Sequence, residues 1–117
     1  MNLFSYTVPP FGQEEAADLF CKGPVRVERI VSRGYASPPG FWYDQAEDEL
    51  VFVLQGEGAV AFADGTEKVL RPGDSLYLPA GVKHRVAATS EDPPCLWLCL
   101  FFPAGSDLIC NDEINAF

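Results

Sequence analysis

The stretch Gly73-Asp74-Ser75-Leu76-Tyr77-Leu78-Pro79-Ala80-Gly81-Val82-Lys83-His84 decides how this chain is read. Just before it, Arg71-Pro72-Gly73-Asp74 carries Pro and Gly at the two central positions, which suits a type II turn. Ser75 to Leu78 alternates polar or aromatic residues with Leu, the pattern of a short strand. Leu78-Pro79-Ala80-Gly81 reads as a second turn, with Pro at its second place and Gly at its fourth. Val82, His84 and Val86 then share one face of a new strand, and Lys83 and Arg85 take the other. The only histidine of the chain therefore points to the same side as two valines. Taken alone, an inward imidazole is more often a satisfied core residue than a ligand.

Working outward, the same pattern of short strands and tight turns recurs. Toward the C-terminus, the strand of His84 continues to Thr89, Ser90 to Pro94 forms a loop, and Cys95 to Phe102 is a strand. Toward the N-terminus come Thr66 to Leu70, the hairpin signal Asp64-Gly65, Ala59 to Ala63, the turn Gly56-Glu57-Gly58, and a strand from Glu49 to Gln55. Gln45 to Asp48 reads as an acidic turn, Phe41 to Asp44 as a brief aromatic strand, and Arg33 to Gly40 as a loop. Val25 to Ser32 is a strand with Val25, Val27 and Arg29 on one face and Arg26, Glu28 and Ile30 on the other. Gln13 to Cys21 combines good helix formers with an acidic first turn and stops before Gly23-Pro24, so a short helix is expected there. This gives an all-β sandwich or barrel over residues 25–102, an N-terminal arm and helix over 1–24, and a C-terminal extension over 103–117.

Two strands, Leu50-Val51-Phe52-Val53-Leu54 and Leu96-Trp97-Leu98-Cys99-Leu100, are apolar on both faces. One face must line the barrel. The other calls for cover from the N-terminal segment or from a second copy, so a homodimer is expected.

The bulk composition excludes several classes. With 117 residues there is room for one domain, and 48% apolar content makes it globular. Eight basic against 17 acidic residues, net −9, argue against nucleic acid and against an anionic membrane surface. No apolar run approaches the roughly 20 residues of a membrane span, and no basic-then-apolar leader opens the chain, so the cytosol is the expected location. The cysteines, at 21, 95, 99 and 110, form no Cys-x-x-Cys pair and read as free buried thiols.

Glu49 shares its strand face with Val51, Val53 and Gln55. A carboxylate among valines needs a metal, a hydrogen-bond donor or a proton. His84 and Glu49 converge if both face the narrow interior of a small barrel, with Trp42, Tyr43, Asp44 and Gln45 just upstream. On pattern alone, an exposed Glu49 at the end of the acidic turn is the equal alternative.

These residues also carry a resemblance. The chain resembles the cupins, small jelly-roll barrels built as a double-stranded β-helix. Their second motif is Gly, five residues, Pro, one residue, Gly, two residues, His, three residues, Asn. Gly73, Pro79, Gly81 and His84 match at every spacing, and Ala88 replaces the final Asn. Their first motif is two His separated by one residue, then three or four residues, Glu, six residues and Gly. Glu49 and Gly56 match, but both His are missing. With four intervening residues their places are Trp42 and Asp44, the preferred register; with three, Tyr43 and Gln45. The resemblance implies that Glu49 and His84 point into the barrel and, with Asp44, hold a divalent metal. One imidazole with carboxylates would suit zinc, manganese, iron or nickel, with water at the open positions.

Two functions follow as expectations. The first is a metal-dependent enzyme on a small molecule, with Glu49 as general base, Tyr43 as a second catalytic residue, Trp42, Gln45 and Trp97 in the pocket, and Trp42, Tyr43, Phe52 and Trp97 as aromatic walls. The second is a metal-free binding or sensing module in which Glu49 bonds to His84 or Tyr43. A barrel that serves only to associate with a partner is a third.

Overall fold

The computed structural model describes residues 1–105 and the backbone of 115–116. Nine strands are present among the described residues: β1 (Gln13–Lys22), β2 (Val25–Arg33), β3 (Glu47–Gln55), β4 (Gly58–Phe62), β5 (Glu67–Leu70), β6 (Ser75–Leu78), β7 (His84–Thr89), β8 (Cys95–Pro103) and β9 (Asn115–Ala116). They form a six-stranded sheet in the order β1-β2-β8-β3-β6-β9 and a three-stranded sheet in the order β5-β4-β7. All pairings are antiparallel except β6 with β9. The all-β jelly-roll barrel stands; the N-terminal helix does not. No helix long and apolar enough to cross a membrane occurs among the described residues.

Gln13 to Cys21 is part of β1, which pairs along β2 from Gln13 opposite Arg33 to Lys22 opposite Val25. Helix propensity in Gln-Glu-Glu-Ala-Ala amounts to a few tenths of a kcal/mol per residue, and pairing to an open sheet edge overrides it.

The two opening turns form, one of them shifted. Asp74 N–H donates to Arg71 O at 2.9 Å, and Gly73, at φ +92°, takes the third position of that turn. The second turn runs Pro79 to Val82, closed by Val82 N–H to Pro79 O at 3.2 Å, one residue later than the Leu78–Gly81 reading. Gly81 thereby falls at the third position with φ +81°, the left-handed conformation a type II turn requires.

Side-chain alternation places the core between the sheets. Val51, Val53, Val60, Phe62, Leu70, Leu76, Leu78, Cys95, Trp97, Cys99 and Phe101 form one buried cluster. A Cβ on Gly58 would sit 2.4 Å from the Trp97 ring, so β4 must begin with a residue lacking a side chain to admit the indole. Cys95 and Cys99 are buried free thiols, whereas Cys21 lies exposed near the end of β1; Cys110 falls outside the described residues.

The outer face of the large sheet is also apolar. Leu50 opposes Leu100 and Phe52 opposes Leu98, and these four are half-buried. Phe52 thus faces away from the interior. The N-terminal arm crosses part of this face: Arg29 donates to Leu3 O and Ser5 O, and Gln55 donates to Tyr6 Oη at 2.6 Å.

Candidate functional site

A cavity of about 250 Å³ opens between the sheets. It is lined from β1 by Glu14, from β2 by Arg26, Glu28 and Ile30, from β3 by Glu49 and Val51, from β7 by His84 and Val86, and from β8 by Trp97, Cys99 and Phe101. Tyr43 and Gln45 reach it from the segment before β3, and Val60 and Leu78 complete the wall. Glu49 and His84, far apart in sequence, meet here. Glu49 is 7% exposed and His84 6%.

The register of the upstream segment follows from an isolated antiparallel bridge between Tyr43 and His84. Tyr43 N–H donates to His84 O at 2.7 Å, His84 N–H returns to Tyr43 O at 3.2 Å, and Gly81 N–H donates to Gln45 O at 2.8 Å. Tyr43 and Gln45 therefore face inward. Trp42, 37% exposed, and Asp44, also exposed, face outward and line no part of the cavity. The preferred Trp42/Asp44 register is replaced by Tyr43/Gln45, and Asp44 leaves the ligand set. Consecutive residues of an extended segment point to opposite sides, so a slip of one residue exchanges them.

Around Glu49 the hydrogen bonds are directional. Gln45 Nε2 donates to Glu49 Oε1 at 3.1 Å. Burial raises the Glu49 carboxyl, opposed by Gln45, by His84 and by a hydrogen bond with Cys99. The same burial, with Glu49 alongside, drives the Cys99 thiol far upward, so it is no thiolate nucleophile. The Tyr43 phenol is pushed up chiefly by burial and stays protonated. Its ring stacks on His84 with centroids 5.2 Å apart.

His84 Nδ1 lies 3.0 Å from Val82 O. A carbonyl only accepts, so in the neutral ring Nδ1 carries the hydrogen and Nε2 the lone pair. Nε2 is 4.0 Å from Glu49 Oε1, beyond hydrogen-bond reach, and has no hydrogen-bond partner among the described residues.

Sequence reasoning missed the β1 and β2 contributions. Trp97 Nε1–H donates to Ser32 Oγ at 3.1 Å, and Ser32 Oγ–H donates to Glu14 Oε2 at 2.8 Å. The indole can only donate, so the hydroxyl must accept from it and pass its own hydrogen to the carboxylate. Arg26 donates to Glu28 at 3.2 Å and to Glu47 at 3.1 Å, and its guanidinium lies 3.8 Å over the Phe101 ring. Burial also raises Glu14, against the Ser32 hydrogen bond, and Glu28, against Arg26. The period-two grouping of Arg26, Glu28 and Ile30 was readable; that the charged face points inward was not.

Residues 31–101 match the family model described as a cupin domain. This chain belongs to the cupin family. It is similar to a solved Ralstonia eutropha protein provisionally named a mannose-6-phosphate isomerase, at 42% identity and TM-score 0.81, over 89% of this chain and 97% of that one. An RmlC-like cupin from Shewanella frigidimarina superposes with TM-score 0.67 at 22% identity over 93% of each chain, a likeness of fold. An uncharacterized Streptomyces coelicolor protein is 41% identical over 69 residues, which make up 56% of this chain and 65% of that protein's length.

The family implies a metal, and the donor set here does not fit one. The inward positions that the motif gives to imidazoles hold a protonated phenol and a carboxamide, the latter already donating to Glu49. No group of three His, Cys, Asp or Glu side chains suited to a metal ion occurs among the described residues.

Proposed function

We propose that this cupin binds a small molecule in the barrel cavity without a metal ion. The observation that carries this reading is the replacement of both motif imidazoles by Tyr43 and Gln45, each tied into the cavity wall by stacking or hydrogen bonding. A two-donor site of Glu49 and His84 is weak for zinc, manganese, iron or nickel. Elemental analysis of protein purified without chelator, followed by calorimetric titration with those four ions, should give no stoichiometric metal. One metal per chain, lost in His84→Ala, would overturn the reading.

The name of the Ralstonia eutropha relative does not transfer easily. A sugar phosphate needs free cationic partners. The one guanidinium lining the cavity is engaged by Glu28 and Glu47, and three carboxylates face the same space.

Proton transfer is a second reading, favoured by one feature: a carboxyl raised by burial stands 4.0 Å from a nitrogen lone pair. Glu49 would then deliver or remove a proton on bound ligand while His84 Nε2 takes or returns another. Incubating protein and ligand in heavy water and following deuterium entry into the ligand tests it; no incorporation leaves binding alone.

A further inference from the structure

We propose that the cavity takes a ligand bearing an N–H ammonium group, seated between His84 Nε2 and Glu49 Oε1. This deepens the metal-free binding reading and rests on it.

In the neutral His84 ring Nδ1 is committed as donor to Val82 O, so Nε2 is an acceptor on a side chain more than nine-tenths buried and turned into the cavity. Glu49 Oε1 is a second acceptor, with one of its lone pairs taken by Gln45. Two acceptors 4.0 Å apart cannot bond to each other. A donor atom about 2.8 Å from both sees them at roughly 90°. A ligand hydroxyl has one hydrogen and can satisfy one of the pair. An ammonium nitrogen has two or three, spread near the tetrahedral angle, and satisfies both.

Glu14 and Glu28 face the same space as Glu49, and the single guanidinium there already serves Glu28 and Glu47. An entering cation supplies the counter-charge the cavity lacks, whereas an anion meets three carboxyl groups.

Val51, Val60, Val86, Ile30 and the ring of Trp97 offer apolar surface to the ligand's body. A cavity of about 250 Å³ is below the usual range for drug-sized ligands and suits a single-ring or short-chain amine.

A matched series of benzylammonium, benzyl alcohol, benzyltrimethylammonium and benzoate separates the contributions by calorimetry on the wild-type protein near neutral pH. Benzylammonium should bind at least about tenfold tighter than benzyl alcohol, because hydrogen bonds from a charged donor are the stronger kind. Benzyltrimethylammonium, which keeps the charge but has no N–H, should lose most of that advantage, and benzoate should bind weakest. In His84→Phe, which keeps a ring for Tyr43 to stack on but removes one of the two acceptors, the preference for benzylammonium over the alcohol should fall several-fold. Equal affinity for alcohol and ammonium, a trimethyl compound as tight as benzylammonium, or a preference undiminished in His84→Phe would each overturn the proposal. Binding of the alcohol alone removes the ammonium site and leaves metal-free binding standing; binding of none removes both. Should His84→Phe fail to fold, the wild-type series decides by itself.

Discussion

Two parts of one interior are built by the same alternation of strand residues and end in opposite chemistry. In the dry part, Val53, Phe62, Leu70, Leu76 and Cys95 fill space with apolar atoms. In the cavity, the same inward positions hold Glu14, Arg26, Glu28, Glu49 and His84. Glu49 lies directly opposite Leu78 and Phe101, and His84 opposite Phe62. The dry part draws its stability from burial, at about 25 cal/mol per Å². The cavity buries polar groups at a cost, met only in part by hydrogen bonds such as Gln45 to Glu49 and Ser32 to Glu14. A barrel of this size tolerates a polar cavity because the apolar half holds the sheets together.

The comparison fails if mutations in the two parts cost the same. The largest effect belongs to the dry part: Phe62→Ala should lower unfolding free energy by about 3–5 kcal/mol in urea denaturation, since Phe62 is 1% exposed. A loss below 1 kcal/mol would mean that this region is not tightly packed. At the border, Gly58→Ala forces a methyl against the Trp97 ring and should cost about 1–3 kcal/mol, with a shift in Trp97 fluorescence.

The cavity should respond in the opposite sense. Glu14, Glu28 and Glu49 all have folded-state pKa values raised by burial. The folded chain therefore holds protons that the unfolded chain releases above the ordinary glutamate value of about 4.3. Their contribution is fully present below that value and is lost as pH rises through the raised values. Melting temperature should fall from mildly acidic toward neutral pH, and Glu49→Gln should flatten the slope without destabilising the neutral protein. A profile unchanged in Glu49→Gln would mean that Glu49 does not titrate in that window. The smallest effect is Asp44→Asn, within about 0.5 kcal/mol and without influence on ligand binding, whereas Gln45→Ala should alter binding. The reverse outcome would restore the Trp42/Asp44 register.

The barrel was legible because the turns and the His84 motif depend on spacing, and spacing survives any folding context. Glu49 meeting His84 was legible for the same reason. The inward register of Tyr43 and Gln45 was not, because three and four intervening residues both satisfy the pattern and only the backbone bridge to His84 decides between them. Glu14 was hidden by a locally helix-prone run whose strand state comes from β2. Arg26 and Glu28 were hidden because a charged strand face ordinarily points to water; here Glu47 and the Phe101 ring hold Arg26 at the cavity.

The chain of hydrogen bonds from Trp97 through Ser32 to Glu14 also has an optical consequence. Trp42 is exposed and open to a soluble quencher, while Trp97 is buried. With Trp42 emission quenched, the remaining signal comes from an indole coupled through one hydroxyl to a carboxyl group of the cavity. Ligand arrival or proton uptake at Glu14 should change that emission, so the protein carries its own reporter and its occupancy can be followed without a label.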